Sequence, residues 1–451
     1  MSGFKHKLVP FPAGLDLTLA SHKKRPIRRP SPINALDHDV LSKIFSLLED
    51  CFDLTNCSLV CKTWSGVITK SKLVEALYYK LWHMGLVKGG HCLEEMVVEP
   101  HRLALHQGRR INIDQWKAHS ANIDQCRKKN GFLLTGGRDK VMRLWSLKSD
   151  TCVYKFEGEY EVPSEYGPLV DFDFDASKIV GLVGSKNSRI CLWSRSGVAR
   201  VLNPLKGKGN FPKAICMRYC DPEAVVGCAD GTARVFDMYS HQCSQILRMH
   251  GSKVPVTCLG LCDDYGASSL ILAGGGSRIT ISSGLLQHTV TELCMDYLAG
   301  DKIRTLCYNP CGDEDRSVFA GSTGGYVYGW DLRTGRRLWK TQVSRSAVCS
   351  VQHLRNDGST LVVGGVDGVL RLVDQNTGKV NSRIVLDTGY CVLPSTSSAN
   401  SAPVQRLRGR RLAEDAQLDD IPTPPITCLT VGMKKVITAH NRDYIRTWKF
   451  N

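Results

Sequence analysis

The chain has 451 residues, 42% of them hydrophobic and 23% charged, with a formal net charge of +16. That is too apolar for general disorder, and no apolar run approaches the ~18 to 20 residues that span a bilayer. Leu8 to Ala20 is cut by Pro10, Pro12 and Asp16, so no secretory signal is expected, and the 19 cysteines are expected to be reduced, mostly buried thiols.

The charge points to an acidic partner: nucleic acid, a membrane surface or a phosphoprotein. Residues 1–30 hold seven Lys/Arg against one acid, Asp16, and are densest from Lys23 to Pro30. With almost no apolar periodicity they are expected to form a disordered basic arm, either an import signal or a solubilising tail.

Residues 31–82 read as helices. In Asp37 to Glu49 the apolar positions Val40, Leu41, Ile44, Phe45, Leu47 and Leu48 recur at steps of one, three and four, an amphipathic helix with Asp37 as N-cap. A second helix is expected from Asp53, with Leu54, Cys57, Val60, Cys61, Trp64 and Ile68 facing inward. A third runs from Ser71 to Trp82. Three short helices cannot bury all these side chains among themselves, so a partner surface is expected to cover some of them.

Leu36-Asp37-His38-Asp39-Val40-Leu41-x-x-Ile44-Phe45-x-x-Leu48, Asp53-Leu54 and Val60-Cys61-Lys62-x-Trp64 together resemble an F-box. The motif usually opens Leu-Pro; Asp37 stands in place of the proline. The resemblance implies binding to a Skp1-like adaptor and, through it, a cullin-RING module, with Leu36, Phe45, Leu48, Leu54, Val60, Cys61 and Trp64 as the adaptor-binding residues.

Residues 83–109 are a connector with a short helix expected near Leu93 to Val98. From 110 to the end the pattern is short strands with Gly/Asn/Asp turns. A unit recurs, clearest in Leu133-Leu134-Thr135-Gly136-Gly137-Arg138-Asp139 followed by Val141 to Trp145. Seven copies end at Trp145, Trp193, Phe236, Ile281, Trp330, Val373 and Trp448. Steps of 43 to 49 residues, with Trp330-Asp331 as the literal dipeptide, resemble WD40 propeller blades. The last step is 75, and 388–423, rich in Ser, Pro, Arg and acids, accounts for the excess as an expected disordered loop. The last copy has three strands, so Arg110 to Trp116 is expected to supply its fourth and close the ring. The fold class is thus a small all-α F-box module plus an all-β seven-bladed WD40 propeller.

Asp139, Asp230 and Asp367 lie six residues before the terminal aromatic position, where an Asp can tie a turn by accepting backbone N–H bonds. His119, Asp139 and Trp145 match the family's buried hydrogen-bonding set rather than a catalytic pair. Cys57/Cys61, Cys216/Cys220, Cys258/Cys262 and Cys307/Cys311 have the wrong spacing for zinc. There is no P-loop, nucleophile elbow or kinase motif, and no RING-type array, so neither a cofactor nor chemistry by this chain is expected.

In WD40 receptors phosphorylated segments are often held by basic side chains on one face of the ring. The matching positions here are Arg138, Lys186 and Arg304, the last following Ile303 on an inner strand, with Thr257 and Thr427 at the equivalent place in other blades. The resemblance implies a substrate receptor of an SCF-type ubiquitin ligase, similar to plant-type F-box/WD-40 proteins, holding an acidic or phosphorylated protein in the cytoplasm, the nucleus or both. A non-degradative scaffold is the first alternative. A nucleic-acid-binding propeller is the second, and it lacks any RRM-type motif or basic helix. No membrane partner is expected.

Overall fold

The computed structural model describes residues 36–48, 51–58, 60–74, 76–77, 101–108, 110–129, 131–147, 155–184, 188–195, 212–251, 253–262, 270–283, 289–296, 300–309, 317–354, 357, 359–387, 404–412, 423–432 and 435–450. Two compact units divide the chain, Met1–Gly89 and Gly90–Asn451. The basic arm and the helix expected near Leu93 to Val98 lie outside the described residues. No described helix is long and apolar enough to cross a membrane.

The first unit holds α1 (His38–Ser46), α2 (Cys51–Ser58) and α3 (Lys62–Lys70), with a further helical stretch beginning at 73. Asp37 occupies the N-cap position of α1, but its side chain makes no cap bond; only its carbonyl engages, accepting from Leu41 N at 3.0 Å. Its acid therefore acts only through the helix dipole. The single helix expected from Asp53 to Ile68 is two. Val60 sits in the turn, and Cys61 is fully extended (φ −159°, ψ 164°) as it starts α3. Cys57, Ser58, Val60 and Cys61, four of five successive residues, carry low helical propensity, so the chain turns there. Leu41, Phe45, Leu54, Val67, Ile68, Val74 and Leu77 form the interior.

The second unit is a ring of seven blades. Its chain opens with β1 (Ile111–Lys117), then blade one: β2 (Ile123–Lys129), β3 (Phe132–Gly137), β4 (Val141–Ser146) and β5 (Lys155–Glu161). Blade two shows β6 (Leu169–Phe174), β7 (Lys178–Val183) and β8 (Arg189–Ser194). Blade three is β9 (Ala214–Cys220), β10 (Glu223–Cys228), β11 (Thr232–Asp237) and β12 (Gln242–Arg248). Blade four is β13 (Cys258–Cys262), β14 (Leu270–Gly275), β15 (Arg278–Ser283) and β16 (Thr289–Cys294). Blade five is β17 (Ile303–Asn309), β18 (Ser317–Ser322), β19 (Tyr326–Asp331) and β20 (Arg337–Gln342). Blade six is β21 (Val348–His353), β22 (Thr360–Gly365), β23 (Leu370–Asp374) and β24 (Val380–Leu386). After β25 (Val404–Leu412), blade seven is β26 (Cys428–Gly432), β27 (Lys435–Ala439) and β28 (Tyr444–Phe450), completed by β1.

All seven repeat ends fall on third strands and are buried, including the weak copy at Ile281. Strand β1 pairs antiparallel with β28, Ile113 opposite Trp448, as the missing fourth strand requires. Inner strands of neighbouring blades touch all the way round, blade seven against blade one included. Glycine is required at the second strands because the next blade crowds them: a Cβ on Gly364 would stand 2.6 Å from Ile426 Cγ2, and one on Gly136 would strike the Phe172 ring.

The 388–423 stretch expected to be a disordered loop contains β25, a correction to the reading from composition. This strand pairs on one side with β1 and on the other with β24, joining blades six and seven into one nine-stranded sheet. Two otherwise exposed edges lie within its reach, and edge pairing outweighs its polar composition. Arg411 then fixes a helical segment at 101–107: its guanidinium donates to the carbonyls of Leu105 (2.7 Å) and Gly108 (3.2 Å) and to Ser382 Oγ. Leu105 joins the core between blades six and seven.

Candidate functional site

On the helical unit, α1 is apolar on two faces. Leu41 and Phe45 point inward, Phe45 meeting the Trp64 ring edge-on at 5.1 Å. Leu36, Val40, Ile44 and Leu47, spaced four, four and three, are 39% to 79% exposed, and Val60 in the α2–α3 turn is 62% exposed. Exposed apolar side chains at helical spacing form a stripe that a partner would cover. Of the residues expected to touch the adaptor, Leu36 and Val60 are exposed, Leu48, Cys61 and Trp64 half-buried, and Phe45 and Leu54 interior. Phe45 and Leu54 thus support the face rather than present it. Val40, Ile44 and Leu47 belong to it, and their steps of four and three were the signal.

On the propeller, inner edge strands leave backbone N–H and C=O groups facing the channel, and these need partners. A side-chain bond bridges each step of the ring, and at six of the seven steps it takes up such a backbone group. Arg127 bonds Asp171 at 3.0 Å; Asp171 and Asp173 accept from Met217 N (2.8 Å) and Tyr219 N (3.0 Å). Cys216 donates to Val256 O at 3.6 Å, and Thr257 to Ile303 O at 3.1 Å. Thr305 and Gln352 accept from Val351 N (3.4 Å) and Val431 N (3.2 Å). The Cys428 thiol meets Cys126 O at 3.4 Å, which completes the circle. Alternation in Asp171-Phe172-Asp173-Phe174 sends the carboxylates toward blade three and the rings to the core between blades one and two. Asp173 stays low in pKa: burial opposes its charge, but Lys129 and Arg127 overcome that.

The buried set of blade one is intact. Trp145 Nε1 donates to Thr135 Oγ1 (3.0 Å), His119 Nε2 lies 2.8 Å from the same hydroxyl, and His119 Nδ1 lies 3.0 Å from Asp139. Asp139 also takes the Ser120 N–H, while Asp230 and Asp367 tie their own turns through Thr232 N and Val369 N. These contacts are structural, linking strands and turns of a blade.

Blade seven repeats the theme with His440 between Thr438 Oγ1 (2.7 Å) and Pro425 O (3.2 Å). Burial, reinforced by Arg446, pushes its pKa down to about 3. The unfolded chain takes this proton near pH 6.5, so stability is full above that pH and falls as pH drops toward 3. The slope from this group reaches at most about 1.4 kcal/mol per pH unit. Urea unfolding between pH 7 and 4 should show the decline, and His440→Gln should remove that part of it.

Of the three basic residues expected to hold substrate, Lys186 lies outside the described residues. Arg138 is 64% exposed, and its Nε stands 3.4 Å from Asp124 Oδ1, so its charge is already partly answered. Arg304 is exposed in the β17 bulge between Ile303 and Thr305, where an extra residue is turned out of the ladder. Asp124 occupies the same bulge in β2. Arg138 and Arg304 therefore stand on blades one and five rather than side by side. Among the described residues, no group of three His, Cys, Asp or Glu could hold a metal ion.

Comparison with known proteins agrees with both units. Residues 34–80 match the F-box-like family. An F-box/WD-40 repeat-containing protein of Arabidopsis thaliana is 43% identical over 96% of this chain and 98% of its own length. The Arabidopsis autophagy-related protein 16 is 21% identical, covering 71% of this chain and 53% of that protein. The WD40 β-propeller domain of Doa1 superposes with a TM-score of 0.53 at 15% identity, over 75% of this chain and 95% of that one, which shows the fold alone. A helical F-box unit with a bare apolar stripe and a closed propeller, together with a full-length relative of the same organisation, show that the chain belongs to the F-box/WD-40 repeat-containing proteins.

Proposed function

We propose that this protein is the substrate-recognition subunit of an SCF-type E3 ubiquitin ligase, working in the cytoplasm, the nucleus or both. The observation that carries the reading is the exposed apolar stripe of α1 in a chain that also builds a complete ring. The stripe docks a Skp1-like adaptor, which bridges to a cullin-RING module. The propeller holds a protein substrate, so a substrate lysine stays near a ubiquitin-charged conjugating enzyme at raised effective concentration. No residue of this chain carries a step of the ubiquitin transfer.

For the substrate, Arg304 is the better-placed cation, because no carboxylate is bonded to it among the described contacts and its bulge turns it outward. An acidic or phosphorylated segment would gain charge-assisted bonds there. Affinity purification of the tagged protein should recover adaptor, cullin and substrate together. Arg304→Ala should weaken substrate about tenfold to a hundredfold, as loss of bonds to a charged group does. Arg138→Ala, which breaks a pair already exposed to water, should cost about fivefold or less. Both variants should keep the adaptor. Recovery of substrate without adaptor or cullin from wild-type protein would favour a non-degradative scaffold instead.

A further inference from the structure

The ring closes through β1 on β28, and beside that closure the inner strands of blades seven and one meet at a seam, β26 against β2. The step across it differs from the other six in chemistry. Elsewhere oxygen, nitrogen or a single thiol reaches the next strand; here both sides offer sulfur. Cys126 on β2 and Cys428 on β26 are buried free thiols whose Sγ atoms are 3.6 Å apart, across 302 residues of sequence. Both belong to the core cluster joining the two blades, with Trp116, Ala439 and Ile445.

We propose that Cys126 and Cys428 form a reversible disulfide that locks the first blade to the last when the protein meets a hydroperoxide. With hydrogen peroxide, one of the two sulfurs attacks an oxygen, the O–O bond breaks, water leaves and a sulfenic acid forms. The other sulfur then displaces the sulfenic oxygen as a second water, and the S–S bond forms. Two thiols are oxidised by two electrons and one peroxide is reduced to two waters, the thiol protons ending in water.

Either sulfur can react first and the other then resolves it. The two thiols face each other, and the Arg127 guanidinium beside them favours a thiolate, the reactive form of cysteine. Burial makes the first step slow, paced by opening of the seam. A crosslink closing so long a loop holds β26 to β2 even if β1 leaves β28, so it restrains the unfolded chain and opposes opening of the ring.

The test uses the full chain, with the exposed Cys294 as an internal monitor of dose. Protein is treated with hydrogen peroxide until Cys294 is fully oxidised, then mapped without reductant. The expected result is a linked Cys126–Cys428 peptide, absent in Cys126→Ser and reversed by dithiothreitol. Oxidised wild type should unfold about tenfold slower than reduced. Full oxidation of Cys294 with no linked peptide would overturn the proposal. So would a link that forms equally fast in urea-unfolded chain, or one that leaves the unfolding rate unchanged.

Discussion

Ile44→Glu with Val60→Glu should abolish adaptor capture while leaving the helical unit folded. Both side chains are exposed, at 39% and 62%, so charging them takes nothing from the interior. Each apolar anchor in a docked face is worth about 2 kcal/mol, and a buried unpaired carboxylate adds to that loss. Together the two changes should lower adaptor affinity about a thousandfold or more. Phe45→Ala is the informative contrast. That ring is buried against Trp64, so its loss should destabilise the unit by about 3 to 5 kcal/mol and reduce capture only through unfolding. Circular dichroism separates the two routes. Wild-type capture by a folded Ile44→Glu/Val60→Glu protein would remove the stripe from the adaptor interface.

The contrast also marks where the sequence could and could not be read. Periodicity marked α1 as amphipathic and the motif put Leu36, Phe45 and Leu48 toward the adaptor. A three-helix unit has too little interior for Val40, Ile44 and Leu47 as well as Leu41 and Phe45, and only packing decides which set is covered. The repeat was more legible, because a bulky terminal residue recurs seven times, aromatic in five of them, and each copy checks the others. Even blade four, where Ile281 replaces the aromatic, keeps register. Strand β25 was hidden because Val404, Leu407 and Leu412 are its only large apolar positions, among arginines that read as loop. Its partners, β1 and β24, lie some 20 to 300 residues away and become neighbours only in the closed ring. Arg138 was read as free for substrate because Asp124, fourteen residues earlier, meets it only across the β2–β3 hairpin.

Ile113→Asp should open the ring. Ile113 is fully buried at the centre of β1, between Trp448 on β28 and Leu407 on β25. It is the residue through which the start of the propeller chain holds its end. A carboxylate there faces the core of Leu105, Leu429 and Phe450. Burying it, with the lost apolar contact, should cost about 4 kcal/mol or more. That lowers the propeller's Tm by about 10 °C, measured by scanning calorimetry. Asn112→Asp, at the exposed neighbouring position, should stay within about 0.5 kcal/mol. Detachment of β1 would also bare the edges of β28 and β25, so the variant should aggregate at its own transition. The two units should part company in function: Ile113→Asp loses substrate with the propeller but keeps adaptor capture, since the helical stripe is built without it. Simultaneous loss of adaptor in soluble Ile113→Asp protein would mean that the helical unit depends on the ring for its fold.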